Sequence, residues 1–130
     1  YQAGTLSDHV SCKKTDVLQI VLSLVQNAAD AVTQDAHRTV TVRSSTLAGT
    51  VRISVENAGP GVDDGLVEKI FEPFFTTKPI GKGMGVGLAV ARALANSNGG
   101  SLTLESARHP TRFVLSLPAA VAKARDTAAA

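Results

Sequence analysis

The chain has 130 residues, with 13 Lys plus Arg against 11 Asp plus Glu, so its formal net charge is +2. That length supplies one domain with one core, and so small a positive excess excludes an electrostatic case for nucleic acid. Hydrophobic residues at 44% and charged residues at 18% exclude wholesale disorder, aromatics at 4% without Trp exclude a base-stacking platform, and the one cysteine, Cys12, excludes an internal disulfide or a Cys-rich zinc site.

The first 14 residues are weakly patterned, with a short edge strand at residues 9–12. A helix follows, with Thr15 or Asp16 as N-cap, and runs to about Thr33 or Gln34. Val17, Leu18, Val21, Leu22, Val25, Ala28, Ala29 and Val32 recur at helical spacing and are expected on the core. Val40 and Val42 alternate with polar residues, as do Val51, Ile53 and Val55, and Ala48-Gly49 lies between them. This predicts a hairpin with one buried face. Asn57-Ala58-Gly59-Pro60-Gly61 is turn chemistry, and Asp63 and Asp64 suit the start of a short helix near residues 63–70.

Residues 71–84 read as irregular. A second helix starts near Gly85, carries the apolar stripe Val86, Val90, Leu94, and stops before Gly99-Gly100. Leu102 and Leu104, then Phe113, Leu115 and Leu117, predict a second hairpin around Arg108-His109-Pro110-Thr111. The Ala-rich stretch after Pro118 reads as a frayed helix or disorder. No apolar run approaches the roughly 20 residues that span a bilayer, and no signal-peptide pattern stands at the start. The chain opens at Tyr1 rather than Met, as an excised piece of a longer protein would. Helices interspersed with hairpins predict an α+β fold: a two-layer α/β sandwich, with helices on one face of a mixed, largely antiparallel sheet. The domain is expected over residues 1–118, with a tail at 119–130.

Four features carry chemistry. Gln19, Ser23, Gln26, Asn27 and Asp30 share one side of the first helix, as an ordinary polar face or as a ligand site. Asn27 is the notable member, because an amide oxygen can ligate Mg²⁺. Gly59-Pro60-Gly61 is either a tight turn or a place where backbone approaches something flat, with Asn57 at the strand end offering a donor and an acceptor. Gly81, Gly83, Gly85 and Gly87 precede the second helix, as a linker or as a cradle of free N–H groups for a phosphate chain. They match neither the P-loop nor the dinucleotide fingerprint. Phe71, Phe74 and Phe75 either pin a loop to the core or latch a lid, and Lys78 and Lys82 either sit in solvent or reach phosphates.

Asn27-Ala28-Ala29-Asp30-Ala31, Asn57-Ala58-Gly59-Pro60-Gly61, Phe71-Glu72-Pro73-Phe74-Phe75-Thr76-Thr77-Lys78 and Gly83-Met84-Gly85-Val86-Gly87-Leu88 occur in that order. They resemble the N box, first glycine box, F box and second glycine box of the GHKL ATPase superfamily. Within it the chain is similar to the ATP-binding catalytic domain of a sensor histidine kinase, over roughly residues 10–118. The resemblance implies the Bergerat sandwich, with ATP and Mg²⁺ as cofactors. It makes Asn27 the Mg²⁺-holding and catalytic residue, with Asp30 beside it. Asn57, Gly59 and Gly61 would line the base. Phe71, Phe74, Phe75, Thr77, Lys78 and Lys82 would belong to the lid, and Gly83, Gly85, Val86, Gly87 and Leu88 would meet the phosphates.

The implied reaction is γ-phosphoryl transfer to a histidine on a separate dimerisation domain. A response regulator is an indirect partner, and no nucleic acid or direct membrane contact is expected. The implied location is cytoplasmic, on a parent chain that membrane anchoring would suit.

Two positions depart from the family. Asn57 stands where the family has Asp reading the adenine amino group. Ser23 stands one turn before Asn27, where the family has a second Asn and its hydrolytic members a Glu base, so net hydrolysis should be poor. His9, His37 and His109 lack the acceptor's helical His-Glu context and read as surface residues. The alternatives are a nucleotide-binding pseudokinase module impaired at Asn57 and Ser23, or an anti-sigma-type serine kinase, which the F box disfavours.

Overall fold

The computed structural model describes residues 13–32, 39–75 and 86–119. Helix α1 (Lys14–Ala31) leads to β1 (Val40–Leu47) and β2 (Thr50–Asn57). A 3-10 turn at Asp64–Leu66, α2 (Gly87–Ser97), β3 (Ser101–Ser106) and β4 (Thr111–Pro118) follow. The strands form one sheet in the order β1-β2-β4-β3, antiparallel at each pairing. The edge strand expected at 9–12 and the tail from residue 120 onward lie outside the described residues.

Both hairpins fold where the turn chemistry predicts. Ala48 (φ 52°) and Gly49 (φ 80°) both take positive φ, the conformation whose twist matches flanking antiparallel strands. Strand alternation then puts one row across the sheet, Val42 beside Val55, Val55 beside Phe113 and Phe113 beside Leu104. This face packs on Ile20, Leu24 and Ala28 of α1 and on Ala91 and Ala95 of α2. Both helices therefore cover the same face of the sheet, giving the expected α+β sandwich.

Val17, Val21, Val25, Ala28 and Val32 of α1 are buried or pack on the core as expected, but the centre of the buried stripe is shifted. Ile20 and Leu24 are fully buried, while Leu18 and Leu22 are more than half exposed. Apolar residues crowd the first half of this helix, so spacing alone admits more than one buried stripe. The sheet selects Ile20, Leu24 and Ala28 at i, i+4, i+8. Nor is the N-cap Thr15 or Asp16: it is Lys13, with no side-chain cap. Asp16 lies inside the first turn, where its charge suits the helix dipole. In α2 the buried residues are Ala91 and Ala95, and Val90 is exposed, because small side chains let α2 settle closely against α1.

Asn98 fastens the two helices. Its Oδ1 accepts from the Lys13 N–H at 3.0 Å, and its Nδ2 donates to Asp16 Oδ2 at 3.0 Å and to Leu94 O at 2.8 Å. Immediately beyond, Gly99 takes φ 78°, the Gly99 N–H donates to Asn96 O, and the Gly100 N–H donates to Ala95 O. That pairing satisfies the last carbonyls of α2 and stops the helix.

The other face of the sheet is charged. Arg112 pairs with Glu56 at 2.6 Å and with Glu105 at 3.2 Å, and Arg52 also pairs with Glu105. Arg52 on β2 reaches Glu105 on β3 across β4, and Val114, on the same side of β4, is buried. Hydrogen bonding from Arg52 holds the Glu105 carboxyl below its ordinary range, and bonding to Glu56 raises the Arg112 guanidinium.

Candidate nucleotide-binding site

The polar side of α1 is braced along its own axis. Gln26 Nε2 donates to Asp30 Oδ1 at 3.0 Å, and Gln19 Nε2 lies 3.5 Å from Ser23 Oγ. Asn27, one turn beyond Ser23, is half-buried, with no hydrogen-bond partner among the described residues. A half-buried amide left unbonded has its full donor and acceptor capacity available to a ligand.

The Asn98 contacts place the C-terminus of α2 at the N-terminus of α1, so the helices run antiparallel. Following the 11 residues of α2 back along α1 from there brings Gly87 level with Leu24 to Asn27. The N-cap of α2 is Val86, whose side chain cannot accept a hydrogen bond, and none caps the helix. Among the described residues nothing accepts from the first-turn N–H groups, which stand level with the Asn27 turn of α1 with the positive end of the dipole behind them.

A Cβ built at Gly87 meets nothing within 4 Å, so packing among the described residues does not require glycine there. Gly87→Ala should therefore keep the fold and raise thermal stability slightly, by up to about 1 kcal/mol of helix propensity. If phosphates approach this backbone, the same variant should bind nucleotide at least about tenfold more weakly, a loss of roughly 1.4 kcal/mol. Unchanged affinity by calorimetry would remove Gly87 from the site. Of the neighbouring residues, Val86 is half-buried and Leu88 packs against the core. Thr77, Lys78, Lys82, Gly83 and Gly85 lie outside the described residues.

The first glycine box joins elements rather than lying open. A Cβ at Gly59 would stand 2.7 Å from Ala31 O, so the box abuts the C-terminal end of α1. Gly61 takes φ 89°, and a Cβ there would stand 2.4 Å from Arg108 Cβ. The Val62 N–H donates to Ala107 O at 2.9 Å, and Arg108 Nη2 donates to Val62 O at 3.1 Å. Both glycines thus have a packing reason of their own. Asn57, beside them, is 3% exposed, and its Oδ1 accepts from the Gly59 N–H at 2.9 Å.

Thr111 pairs with Asn57 in the β2–β4 register and is also 3% exposed. Its hydroxyl donates to Ala107 O at 3.2 Å. The sequence reading missed it. The available signal was a threonine opening the strand that follows a Pro-containing turn, but its place beside Asn57 depends on sheet order.

The three phenylalanines of the F box have separate fates. Phe71 is held in an edge-to-face contact with Phe113, centroids 6.0 Å apart, and Arg92 of α2 stacks 4.3 Å from its centroid. Phe71 therefore pins the loop to core and helix. Phe75 is half-buried. Phe74 is 72% exposed with φ 67°, an aromatic displayed to solvent on backbone that rarely carries a side chain. His109, in the β3–β4 turn, is exposed, as the sequence predicts, and His9 and His37 lie outside the described residues.

Comparison with known proteins bears on the family and the fold. Residues 12–121 match the family described as histidine kinase-, DNA gyrase B-, and HSP90-like ATPase. The chain is 40% identical to the two-component sensor PprA of Pseudomonas aeruginosa over 78% of its own length and 12% of that protein's. It is 37% identical to the sensor protein ChvG of Agrobacterium fabrum (78% of this chain, 19% of the relative). With the sensor protein FixL of Bradyrhizobium diazoefficiens the identity is 33% (88% and 23%). The chain thus spans under a quarter of the length of these relatives.

Among solved structures, the nucleotide-free catalytic domain of histidine kinase ThkA superposes with a TM-score of 0.72 at 34% identity, covering 84% of this chain and 70% of that one. Full-length ShkA, solved with AMPPNP, gives 0.71 at 28% identity over 95% of this chain and 25% of that one. No helix among the described residues is long and apolar enough to cross a membrane. By profile match, by sequence similarity to sensor kinases and by fold, this chain belongs to the histidine kinase-, DNA gyrase B-, and HSP90-like ATPases.

Proposed function

We propose that this chain binds Mg-ATP and donates its γ-phosphoryl group to a histidine on a separate helical dimerisation domain. The observation that carries the reading is the half-buried Asn27 amide, without a hydrogen-bond partner among the described residues, level with the start of α2, which has no side-chain cap. A phosphate chain lying along that helix start would satisfy the free N–H groups and bring its oxygens toward Asn27.

The donor set fits Mg²⁺ held chiefly by nucleotide. Among the described residues no group of three His, Cys, Asp or Glu could hold a metal ion, whereas one amide oxygen plus phosphate oxygens suits this hard cation. Bound there, Mg²⁺ would neutralise charge on the phosphates. In the transfer, the bond from the γ-phosphorus to the β–γ bridging oxygen breaks and a phosphorus–nitrogen bond forms to the partner's imidazole, which gives up a proton as ADP leaves. The chain's own part is to bind and orient the triphosphate. Ser23, one turn before Asn27, has no carboxylate to activate water, which favours transfer over hydrolysis.

Calorimetric titration with ATP, with and without Mg²⁺, tests binding, and γ-labelled ATP tests transfer. Binding should strengthen with Mg²⁺. The chain alone should neither label itself nor turn over ATP, and label should move to a histidine only when a sensor-kinase dimerisation domain is supplied. Absence of binding at millimolar nucleotide, or acid-labile phosphohistidine on His9, His37 or His109 of the chain alone, would overturn the proposal.

A further inference from the structure

The orientation of the Asn57 side chain has a chemical consequence for the base. Its Oδ1 accepts from the Gly59 N–H at 2.9 Å, and both residues are buried. Turning the amide over would point an N–H group at an N–H group and leave that backbone donor buried without an acceptor, so the orientation is fixed. The Nδ2 amino group then lies on the other side of the amide, 97% buried with its residue, and no described residue accepts from it. Beside it, the Thr111 hydroxyl has spent its proton on Ala107 O and offers only lone pairs. The pair therefore presents a donor at position 57 and an acceptor at position 111.

We infer that Asn57 and Thr111 make this site accept a 6-oxopurine nucleoside triphosphate about as well as ATP. The inference rests on the nucleotide-binding reading above. A 6-oxopurine carries an acceptor at O6 next to a donor at N1–H, the complement of the Asn57 Nδ2 and Thr111 Oγ1 groups. Adenine carries the opposite pair, a 6-amino donor and an N1 acceptor. It can use Nδ2 only through N1, and it must share the already bonded Oδ1 for its amino group. An ionised carboxylate at position 57 would accept from adenine and repel O6. The side chain at 57 is thus a specificity determinant, and it points away from strict adenine selection.

Inosine triphosphate is the probe, because it changes position 6 without adding the 2-amino group of guanine. Dissociation constants for Mg-ATP and Mg-ITP are measured by calorimetry on this chain and on Asn57→Asp. In the unaltered chain the two constants should agree within about tenfold, since each base forms a comparable number of neutral hydrogen bonds. In Asn57→Asp, ATP should bind about five- to tenfold tighter through charge assistance, and ITP at least about tenfold weaker. A preference for ATP of about 100-fold or more in the unaltered chain overturns the inference and leaves ATP binding standing. That measurement needs no variant, so it holds even if the buried carboxylate unfolds the protein. An ATP-to-ITP ratio that Asn57→Asp leaves unchanged overturns it equally. If neither nucleotide binds, the reading beneath it falls and the inference falls with it.

Discussion

Replacing Asn27 by Ala is expected to abolish the strengthening of ATP binding by Mg²⁺ while leaving the fold intact. Losing an outer partner of a bound metal typically costs about 10- to 100-fold, and losing a direct ligand should cost at least as much. Stability should move the other way. Asn27 lies within α1, is half-buried, and has no described hydrogen-bond partner to lose, and alanine is the better helix former by several tenths of a kcal/mol. Calorimetry with and without Mg²⁺, beside a thermal melt, reads both effects on one protein. A variant that melts at the usual temperature and still responds fully to Mg²⁺ assigns the metal elsewhere. A variant that loses both binding and stability makes Asn27 a packing residue.

Gly100→Ala should be the most damaging single methyl group on the sheet side. A Cβ at this position would stand 2.1 Å from Ser116 O and 2.9 Å from Leu117 Cδ2, so β4 or the α2–β3 junction must move. The neighbour is backbone in a central pairing, which has little room to yield. Overpacking of this kind costs about 3 kcal/mol or more when the backbone is rigid. For a domain of this size that lowers the melting midpoint by roughly 12 °C or more. Gly65→Ala is the control, because a Cβ there meets nothing within 4 Å. Circular dichroism melts of both variants decide the matter: a Gly100→Ala midpoint within a few degrees of the control would mean that the junction is compliant.

The sequence made the strand pairs and the four boxes legible because their signals are local. Val51, Ile53 and Val55 alternate with polar residues, Ala48-Gly49 closes one hairpin, and Gly99-Gly100 stops α2, each within a few residues of the element it shapes. What stayed hidden depends on distant partners. Leu18 and Leu22 carry as strong a helical signal as Ile20 and Leu24, and only the sheet decides which pair is buried. Val114 should face solvent by alternation, yet it is buried, on the side of the sheet where Arg52 and Glu105 pair across β4. Thr111 became part of the candidate site only because β4 inserts between β2 and β3. The roles of Gly59 and Gly61 were legible as glycine positions but not in their cause, which is the close approach of Ala31 and Arg108.

The Asn98 clamp ties the C-terminal end of α2 to the N-terminal end of α1, and Gly87 lies at the opposite end of α2. The helix pair is therefore fastened at its Asn98 end, and the proposed triphosphate site lies at the tips of the other end. In amide hydrogen exchange, the N–H groups of Asn98, Gly99 and Gly100, bonded back into the last turn of α2, should open only with the whole domain. Those of the first turn of α2 should exchange early and slow down once a triphosphate bridges the tips. The gradient of protection along α2 would then serve as a gauge of occupancy that needs no label on the nucleotide.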